Sequence, residues 1–388
     1  MAVAARKLQT PRLPDVPLDV TLTPVQSAGD TDAFIRFPYA LYKDNPNWVP
    51  PLMMERRDFL NPKKNPWFEF GQVELFLARR NSQVVGRIAA VHDPRYNEFH
   101  GTNMGFFGMF ECIDDAGVAR ALFEAAAGWL RSRGFKHMMG PANFSSNYEW
   151  SVLVEGFDAP PALMMAYNPR YYPALYEACG LEKAKDLWAW ELSSSVPPPE
   201  KVARIAEKIR QRDGIVVRPI KMDDFEGEVK RIKDIYNAAW EKNWGFVPYT
   251  DKEFEHVARD MKQIVAPELV LMAEVDGEAA AFSMTVPDMN HALKAANGRL
   301  FPFGLVKMLL AARKVKRLRL ITLGIKEKFR KRGLDAILYL ETLRTARRLG
   351  YTGGEISWTL EDNHLVNRAI ESMGGRKYKT YRVYERDI

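Results

Sequence analysis

The chain has little cysteine and no long apolar run. Cys112 and Cys179 are the only cysteines in 388 residues, each among apolar neighbours, which favours buried thiols in a reducing compartment over a disulfide framework. No segment reaches the roughly 18 to 20 consecutive apolar residues of a membrane-spanning helix. The opening residues, MAVAARKLQTPRLPDVP, have no apolar core of a secretory signal. These absences predict a cytoplasmic protein that is neither secreted nor transmembrane.

Cysteine and histidine also lack the spacing of a metal site. The chain has six histidines, and His291 and His364 stand without a partner nearby in sequence. We therefore predict no metal cofactor and rank both histidines low as catalytic bases.

The positive charge is concentrated in one stretch. Residues 298–332 contain twelve Lys or Arg against one acid, Glu327, a net charge of +11 in a chain whose total is +7, so the remainder carries −4. Such a patch predicts a local anionic partner, which is a phosphorylated cofactor, an anionic membrane or nucleic acid. Phe329 is the only aromatic residue in 307–332. Because stacking on bases needs aromatic side chains, nucleic acid is the least favoured of the three.

Strand and helix patterns occur in the same order twice, which predicts an α/β fold with mixed sheets in two similar halves. The motif NWVP at 47–50 in the first half has a counterpart, NWGFVP, at 243–248 in the second half. This similarity supports a tandem duplication. The first half shows the strand patterns GQVELFLARR, VVGRIAAV, MGFFGMFEC, KHMMGPAN and KDLWAWEL, with helices at 114–133 and 168–179. The second shows VVRPI, ELVLMAEVDG, EAAAFSMTV, RLRLITLGI, EISWTL and YKTYRVYE, with helices in IYNAAWEKNW and at 334–349 and 363–373.

A Pro- and Ser-rich segment, SSSVPPPE, separates the two halves. At 388 residues the chain is long enough for two domains, each with its own core. We predict a leader over 1–20, an N-terminal domain over 21–194, a linker over 195–214 and a C-terminal domain over 215–388.

The strongest local pattern is a strand that runs through a basic turn into an amphipathic helix, LITLGIKEKFRKRGLDAILYLETLRTARRLGY. The turn brings free backbone N–H groups, the positive end of a helix dipole and several cations to one point. This combination is suited to a pyrophosphate, and a solvated basic helix cap is the alternative. The predicted phosphate-binding residues are Arg330, Lys331, Arg332, Gly333, Leu334, Asp335 and Ala336.

The turn resembles the signature of the GNAT acyltransferases, Arg/Gln-x-x-Gly-x-Gly/Ala after the fourth strand. Arg330 and Gly333 match it. Asp335 stands at the last position, with Ala336 beside it, and we expect this departure either to narrow the turn or to exclude part of the phosphate. The next family element, a strand that ends near an asparagine and leads into a helix, resembles SWTLEDNHLVNRAIESMGG, which places Asn363 at the cofactor.

The resemblance covers most of 215–388 and, in element order, 20–192. It implies two tandem GNAT-like acyl-CoA N-acyltransferase domains. In that family a backbone N–H of the splayed fourth strand polarises the acyl carbonyl, which implies that Leu323, Gly324 and Ile325 line the acyl site here.

Candidate acid and base residues come from both halves. Glu361 follows the fifth strand of the second half, and Glu149 lies in the polar, aromatic loop GPANFSSNYEW; either is a candidate general base, or else a surface or loop-tethering carboxylate. Tyr176, four residues before Gly180, matches the family tyrosine that protonates the departing thiolate. The second half has Ile370 at that place.

The first half lacks a phosphate loop. Its corresponding segment, ECIDDAGVARAL, offers two acids where phosphates would bind, and negative charge there would repel them. We therefore predict that the first half does not bind CoA and instead shapes the acceptor site.

The whole-chain pattern, including NPNWVPP, GPANFSSN, EGFDAPP, YNPRYY and SWTLEDN, resembles the tandem GNAT-like proteins that include the bacterial ceramide synthases. The resemblance implies transfer of a fatty acyl group from acyl-CoA or acyl-carrier protein to the amine of a sphingoid base at the inner face of the membrane. Residues 298–319 mix apolar and cationic residues as an interfacial helix does, or else form a packed helix. The alternatives are an acetyltransferase for small or protein amines and a non-catalytic acyl-CoA or lipid-binding protein.

Overall fold

The computed structural model describes residues 19–211 and 214–388, and it confirms the mixed α/β architecture. Residues 1–18 of the predicted leader lie outside the described residues. We call residues 19–194 the N-terminal half and residues 195–388 the C-terminal half. The N-terminal half contains, in chain order, β1 (Val20–Pro24), α1 (Ala28–Leu41), α2 (Met53–Phe59), β2 (Gln72–Arg80), β3 (Gln83–His92), α3 (Pro94–His100), β4 (Met104–Cys112), α4 (Ala116–Arg131), β5 (His137–Gly140), β6 (Val152–Glu155), α5 (Tyr172–Ala178) and β7 (Glu182–Ser193).

The C-terminal half contains the strands and helices that the sequence predicts, together with helices that it does not. Its elements are α6 (Glu200–Arg210), β8 (Ile215–Pro219), α7 (Phe225–Trp240), α8 (Asp251–Lys262), β9 (Val270–Val275), β10 (Glu278–Pro287), α9 (Asn290–Ala296), α10 (Gly304–Ala312), β11 (Arg317–Ile325), α11 (Leu334–Arg348), β12 (Gly353–Leu360), α12 (His364–Ser372) and β13 (Arg376–Asp387). Helices α6 and α8 are the main additions to the prediction. No helix in the described part of the chain is both long and apolar enough to cross a bilayer.

One sheet runs through both halves in the order β1-β2-β3-β4-β5-β13-β7-β12-β11-β10-β9-β8, and β6 also pairs with β13. Two neighbouring pairs are parallel, β4 with β5 and β11 with β12. The last strand of the chain, β13, lies between β5 and β7 of the N-terminal half, and β7 in turn pairs with β12. Each half therefore supplies a strand that completes the sheet of the other half.

The predicted linker, 195–214, contains α6. This helix packs on α11 through Ala206 and Ile209, which contact Ile337 and Leu340. The segment is therefore part of the C-terminal packing rather than an extended connection, because its apolar residues recur at helical spacing after the prolines.

Helices cover both faces of the C-terminal sheet. Helix α11 packs on one face, where Leu334 and Leu338 contact Leu271 and Ala281. Helix α7 packs on the other face, where Ile235 contacts Met272 and Phe282. Successive side chains of β9 and β10 point to opposite faces of the sheet, so each strand contacts both α7 and α11.

Ion pairs join the two strands at the centre of the sheet. Arg382 of β13 donates to both carboxylate oxygens of Asp186 of β7, at 2.7 and 3.1 Å, and Lys183 lies 3.0 Å from the same carboxylate. Burial disfavours the charged carboxylate, but the hydrogen bonds from Arg382 and Lys183 outweigh it and hold the pKa of Asp186 below its ordinary value. The side chain is 10% exposed, so this pair contributes to the junction of the halves.

Asp186→Asn should lower the free energy of unfolding by about 1–3 kcal/mol at neutral pH, because Arg382 loses its charged partner. A carboxylate with a lowered pKa stabilises the fold above its unfolded pKa of about 3.9 and loses this contribution as pH falls. Urea unfolding of variant and parent should therefore differ at pH 7 and converge in acid. Glu182→Gln, at an exposed carboxylate of the same strand, is the control; an equal loss in both variants would contradict the role of the ion pair.

Candidate active site

Strands β11 and β12 run together for four residue pairs and then separate. Their pairing begins at Arg317 and Gly353 and ends at Leu320 and Ile356. On its other side β11 carries a bulge at Ile321, between its pairings with Thr285 and Met284 of β10. A bulge bends the strand and increases its twist, and beyond it a gap opens between β11 and β12.

The backbone of β11 presents polar groups to this gap. Lys326 N donates to Ala280 O at 3.0 Å. Bonded and non-bonded pairs alternate in an antiparallel ladder, so this bond directs the N–H groups of Leu323 and Ile325 away from β10 and toward the gap. Two backbone donors therefore face the space that separates the strands.

The basic turn stands between β11 and α11. Lys331 and Gly333 have φ of +63° and +80°, and a Cβ at Gly333 would come within 2.2 Å of Ile209 Cδ1, so this position requires glycine. Gly333 is the N-cap of α11, and no side chain in the described part of the chain caps that helix. Its first-turn N–H groups are therefore available, with Arg330 and Arg332 exposed beside them.

A cavity of about 900 Å³ includes the turn and the gap and extends between α7 and α8. Because α11 and α7 lie on opposite faces of the sheet, a cavity lined by both helices crosses the sheet at the gap. The predicted cofactor residues that line it are Leu323, Gly324, Ile325, Arg330, Lys331, Asp335 and Asn363. The neighbouring Arg332, Gly333, Leu334 and Ala336 belong to the same turn and the first turn of α11, and Leu334 is buried against the sheet.

Asn363 and Asp335 have different settings within this cavity. Asn363 is the N-cap of α12, where its side-chain oxygen accepts a hydrogen bond from Val366 N at 3.4 Å. Asp335 lies in the first turn of α11, and its charge adds to burial in raising the pKa of Tyr339 above its usual range. A carboxylate therefore stands in the wall of the predicted phosphate site, which narrows the space open to an anion.

The candidate bases do not line the cavity. Glu361 accepts from Asp186 N at 3.1 Å and from Lys183 Nζ at 2.7 Å, so both of its oxygens are engaged across to β7. Glu149 accepts from Asn143 Nδ2 at 2.6 Å and lies 3.5 Å from Arg56. These contacts are those of tethering carboxylates.

Tyr176 also lies apart from the cavity. It is 1% exposed in the N-terminal core, where its ring contacts Phe107, Phe110, Phe123 and Tyr384. Burial raises the pKa of Tyr176 well above its usual range. The structure therefore brings the predicted cofactor residues together but does not bring the predicted acid and bases to them.

The N-terminal half has the same gap, but its own chain fills it. Pairing of β4 with β5 ends at Phe106; beyond it Ala142 N donates to Phe107 O, and Met109 N donates to Asn143 Oδ1, both at 2.7 Å. A Cβ at Gly108 would lie 1.9 Å from Ala142 O, so the loop passes directly over this glycine. The cavity that the C-terminal half leaves open is closed here by protein.

The helix after β4 is capped by a side chain. Asp115 accepts from Gly117 N and Val118 N at 2.9 and 3.1 Å, and Arg80 donates to its other oxygen at 2.9 Å. Asp115, one of the two acids expected to repel phosphates, therefore accepts the hydrogen bonds that the first N–H groups of α4 donate. The loop that fills the gap continues to Ser146, Asn147 and Tyr148, which line the C-terminal cavity.

Several cavity residues were missed by the sequence analysis. The apolar face of α8, at Phe254, Val257, Ala258 and Met261, has helical spacing that would have identified it. A buried polar cluster of Arg319, Glu355 and Ser357 carries no local pattern, because its members come from two strands. Ser357 and Arg319 line the cavity.

Two curated proteins are similar to this chain along most of its length. No family model matches the chain. The bacterial ceramide synthase of Caulobacter vibrioides (strain NA1000 / CB15N) is 40% identical over 379 residues, covering 95% of this chain and 98% of that protein. Protein YghO of Escherichia coli (strain K12) is 36% identical over 367 residues, covering 92% and 93%.

Solved structures share the fold along the whole chain. A tandem GNAT protein from the clavulanic acid biosynthesis pathway has a TM-score of 0.56 at 13% identity and covers 95% of this chain and 98% of its own. A GCN5-related N-acetyltransferase from Sphaerobacter thermophilus has a TM-score of 0.52 at 13% identity and covers 96% of both chains. The predicted tandem GNAT fold is confirmed.

The fold, the open gap and the basic turn define the class: this chain is a tandem GNAT-type acyltransferase. Within that class it belongs to the family of the bacterial ceramide synthase of Caulobacter vibrioides.

Arg332→Glu should weaken CoA binding by about tenfold, or ~1.4 kcal/mol, because a cation beside the N-terminus of α11 becomes a repelling carboxylate. Titration calorimetry with CoA measures this, and the loss should shrink at high ionic strength. Arg332 suits the test better than Gly333, where any side chain meets Ile209.

Arg348→Glu is the matched control, since it makes the same charge change at an exposed position at the other end of α11. Its CoA affinity should stay within about twofold of the parent. Unchanged affinity in Arg332→Glu would contradict the phosphate site.

Proposed function

We propose that this chain transfers a fatty acyl group from acyl-CoA, or from the equivalent thioester of an acyl-carrier protein, to the amine of a sphingoid base. One observation carries the proposal: a single cavity includes the basic turn, the β11–β12 gap and a groove between α7 and α8. A long-chain acyl-CoA needs an anion site, a polar slot and an apolar groove in this order.

The turn and the gap suit the polar part of the donor. The free N–H groups of α11, with Arg330, Lys331 and Arg332, would bind the pyrophosphate. The backbone groups of Leu323 and Ile325 would hydrogen-bond the pantetheine arm and polarise the thioester carbonyl. No metal or further cofactor takes part in this scheme.

The groove suits the acyl chain. Cavity-lining residues of α7 extend from Phe225 to Trp240, a distance of about 22 Å at 1.5 Å per residue. In α8 only Glu253 is buried. Phe254 contacts Tyr249, but Val257, Ala258 and Met261 stay half-buried and line the cavity, so much of the apolar face of this helix is open to the groove. An acetyl group needs no such groove, whereas a long chain gains about 0.8 kcal/mol for each CH₂ that it buries.

The choice of a sphingoid base rests on the family. The Caulobacter relative, whose chain matches this one nearly end to end, is a ceramide synthase, and a ceramide is the amide of a fatty acid with a sphingoid base. Ser146, Asn147 and Tyr148 of the N-terminal half line the cavity, which supports a role for that half in shaping the acceptor site.

An exposed apolar patch supports access to lipid at the inner face of a membrane. None of the residues of α10 is buried, and Phe301 just before it is 86% exposed. We define the α10 patch as Phe301, Phe303, Leu305, Val306, Leu309 and Leu310, all exposed. Exposed cations lie before, within and after this segment of the chain, at Arg299, Lys307, Arg313, Lys314 and Lys316. An apolar surface with a cationic rim suits an anionic bilayer.

The purified chain should release thiol from palmitoyl-CoA in the presence of a sphingoid base and form the corresponding amide. Ala258→Trp, in the middle of the groove, should reduce turnover of palmitoyl-CoA by about tenfold but leave octanoyl-CoA within about twofold, because only the longer chain reaches the new side chain. Thiol-release kinetics across donor lengths measure this.

Arg259→Trp places the same side chain at an exposed position beside it and is the control. Altered preference for the chain length of the acceptor would contradict the placement of the donor chain in the groove. Thiol release from acetyl-CoA with simple amines would instead favour the acetyltransferase, and CoA binding without release would favour a non-catalytic protein.

Leu309→Glu should reduce binding to vesicles that contain phosphatidylglycerol by at least about fivefold, because it places a charge in the α10 patch. Vesicle flotation measures binding, and activity on micellar substrate should persist. Val216→Glu, at an exposed apolar residue of β8, is the control. Unchanged flotation of Leu309→Glu would contradict the membrane contact and leave the acyl transfer intact.

A further inference from the structure

We propose that Ser357, backed by Glu355, accepts the proton that the acceptor amine loses during acyl transfer. This inference rests on the proposed function, since it names the group that serves the amine in that reaction. Glu361 and Glu149 are engaged elsewhere, so the amine needs a partner that lines the cavity.

Ser357 stands at the point where the gap begins. It follows Ile356, the last residue of β12 that pairs with β11, and it lines the cavity while being only 3% exposed. A thioester carbonyl that accepts from Leu323 N or Ile325 N would lie in the same gap. A nucleophile attacking that carbonyl therefore comes close to Ser357.

The hydroxyl of Ser357 is oriented by two charged neighbours. It donates to Glu355 Oε1 and accepts from Arg319 Nε at 3.0 Å. The hydroxyl of Tyr378 donates to the other oxygen of Glu355. With its proton directed to the carboxylate and one lone pair used by Arg319, Ser357 Oγ keeps one lone pair with which to accept an amine N–H.

The ionisable groups near Glu355 and Ser357 come from β11, from β13 and from the residue that follows β10. Arg319 of β11 is 4% exposed and lies 3.8 Å from Glu355. Asp288, which follows β10, and Tyr381 and Lys379 of β13 complete the shell. Arg319 supplies the charge that balances Glu355, so the cluster is a compensated pair and not an isolated buried anion.

The step balances as follows. The nitrogen lone pair forms the C–N bond, and the C–S bond breaks with its electron pair on sulfur. The proton lost by nitrogen moves to Ser357 Oγ as the proton of Ser357 moves to Glu355. Glu355 then returns its proton through Ser357 Oγ to water in the cavity, and the thiolate takes one from water, so the products are the amide and the free thiol.

Ser357→Ala should lower kcat for amide formation by about 10²- to 10³-fold at neutral pH, with CoA affinity unchanged. The deficit should narrow as pH rises, because hydroxide replaces the missing acceptor; loss of a purely structural hydroxyl would not show this rescue. Ser357→Thr, which keeps the hydroxyl, should recover much of the rate. Initial rates from pH 6 to 10, with melting temperatures as a check on folding, make the measurement.

Ser283→Ala is the matched control. Ser283 is fully buried on β10, its hydroxyl lacks a hydrogen-bond partner within the described residues, and the cavity lining does not include it. A folded Ser357→Ala chain with parental kcat across this pH range would overturn the Ser357 assignment alone. A parent chain that forms no amide from any long-chain amine would overturn the proposed function, and this assignment with it.

Discussion

Strands β11 and β12 are parallel neighbours for four residue pairs and then diverge, and the site exists because of this divergence. A sheet that opens in its interior leaves backbone donors without partners, which is costly unless a ligand satisfies them. The bulge at Ile321 starts the separation, and Gly324 lets β11 lie against α7, since a Cβ there would come within 2.4 Å of the ring of Trp240. One distortion therefore places the gap, the basic turn and the groove in a single cavity.

Strands β4 and β5 of the N-terminal half diverge as β11 and β12 do, but protein fills the gap between them. In the N-terminal half, Ala142 and Asn143 fill the gap, and Asp115 accepts hydrogen bonds from the N–H groups of the helix that follows β4. The loop that closes this gap then reaches the cavity of the other half through Ser146–Tyr148. The loop that closes the gap of the N-terminal half therefore forms part of the wall of the C-terminal cavity.

The strand exchange makes the halves depend on one another. Because β13 lies between β5 and β7, the C-terminal half cannot complete its own sheet without β7. Asp186 and Arg382 reinforce this junction, and Glu361 ties the end of β12 to β7 through Lys183. Glu361, which the sequence suggested as a base, therefore joins β12 to β7 beside the site.

The local parts of the site were within reach of the sequence. The basic turn, Gly333 and the start of α11 could be predicted because a helix N-terminus, a positive φ and a cluster of cations all arise from a few consecutive residues. Element order and the duplication followed from periodicity, and they led to the fold that the structure has. The family followed from motifs distributed along the whole chain.

Tertiary structure alone decided the rest, because the remaining features join residues distant in sequence. Tyr176 has the expected spacing from Gly180, yet it lies in the N-terminal core. The groove exists because α7 and α8 turn apolar faces to a space that protein does not fill, and amphipathic spacing cannot distinguish this space from a packed core. Arg319 and Glu355 pair across β11 and β12, and Ser357 joins them where the two strands diverge; no local pattern predicts where two strands separate.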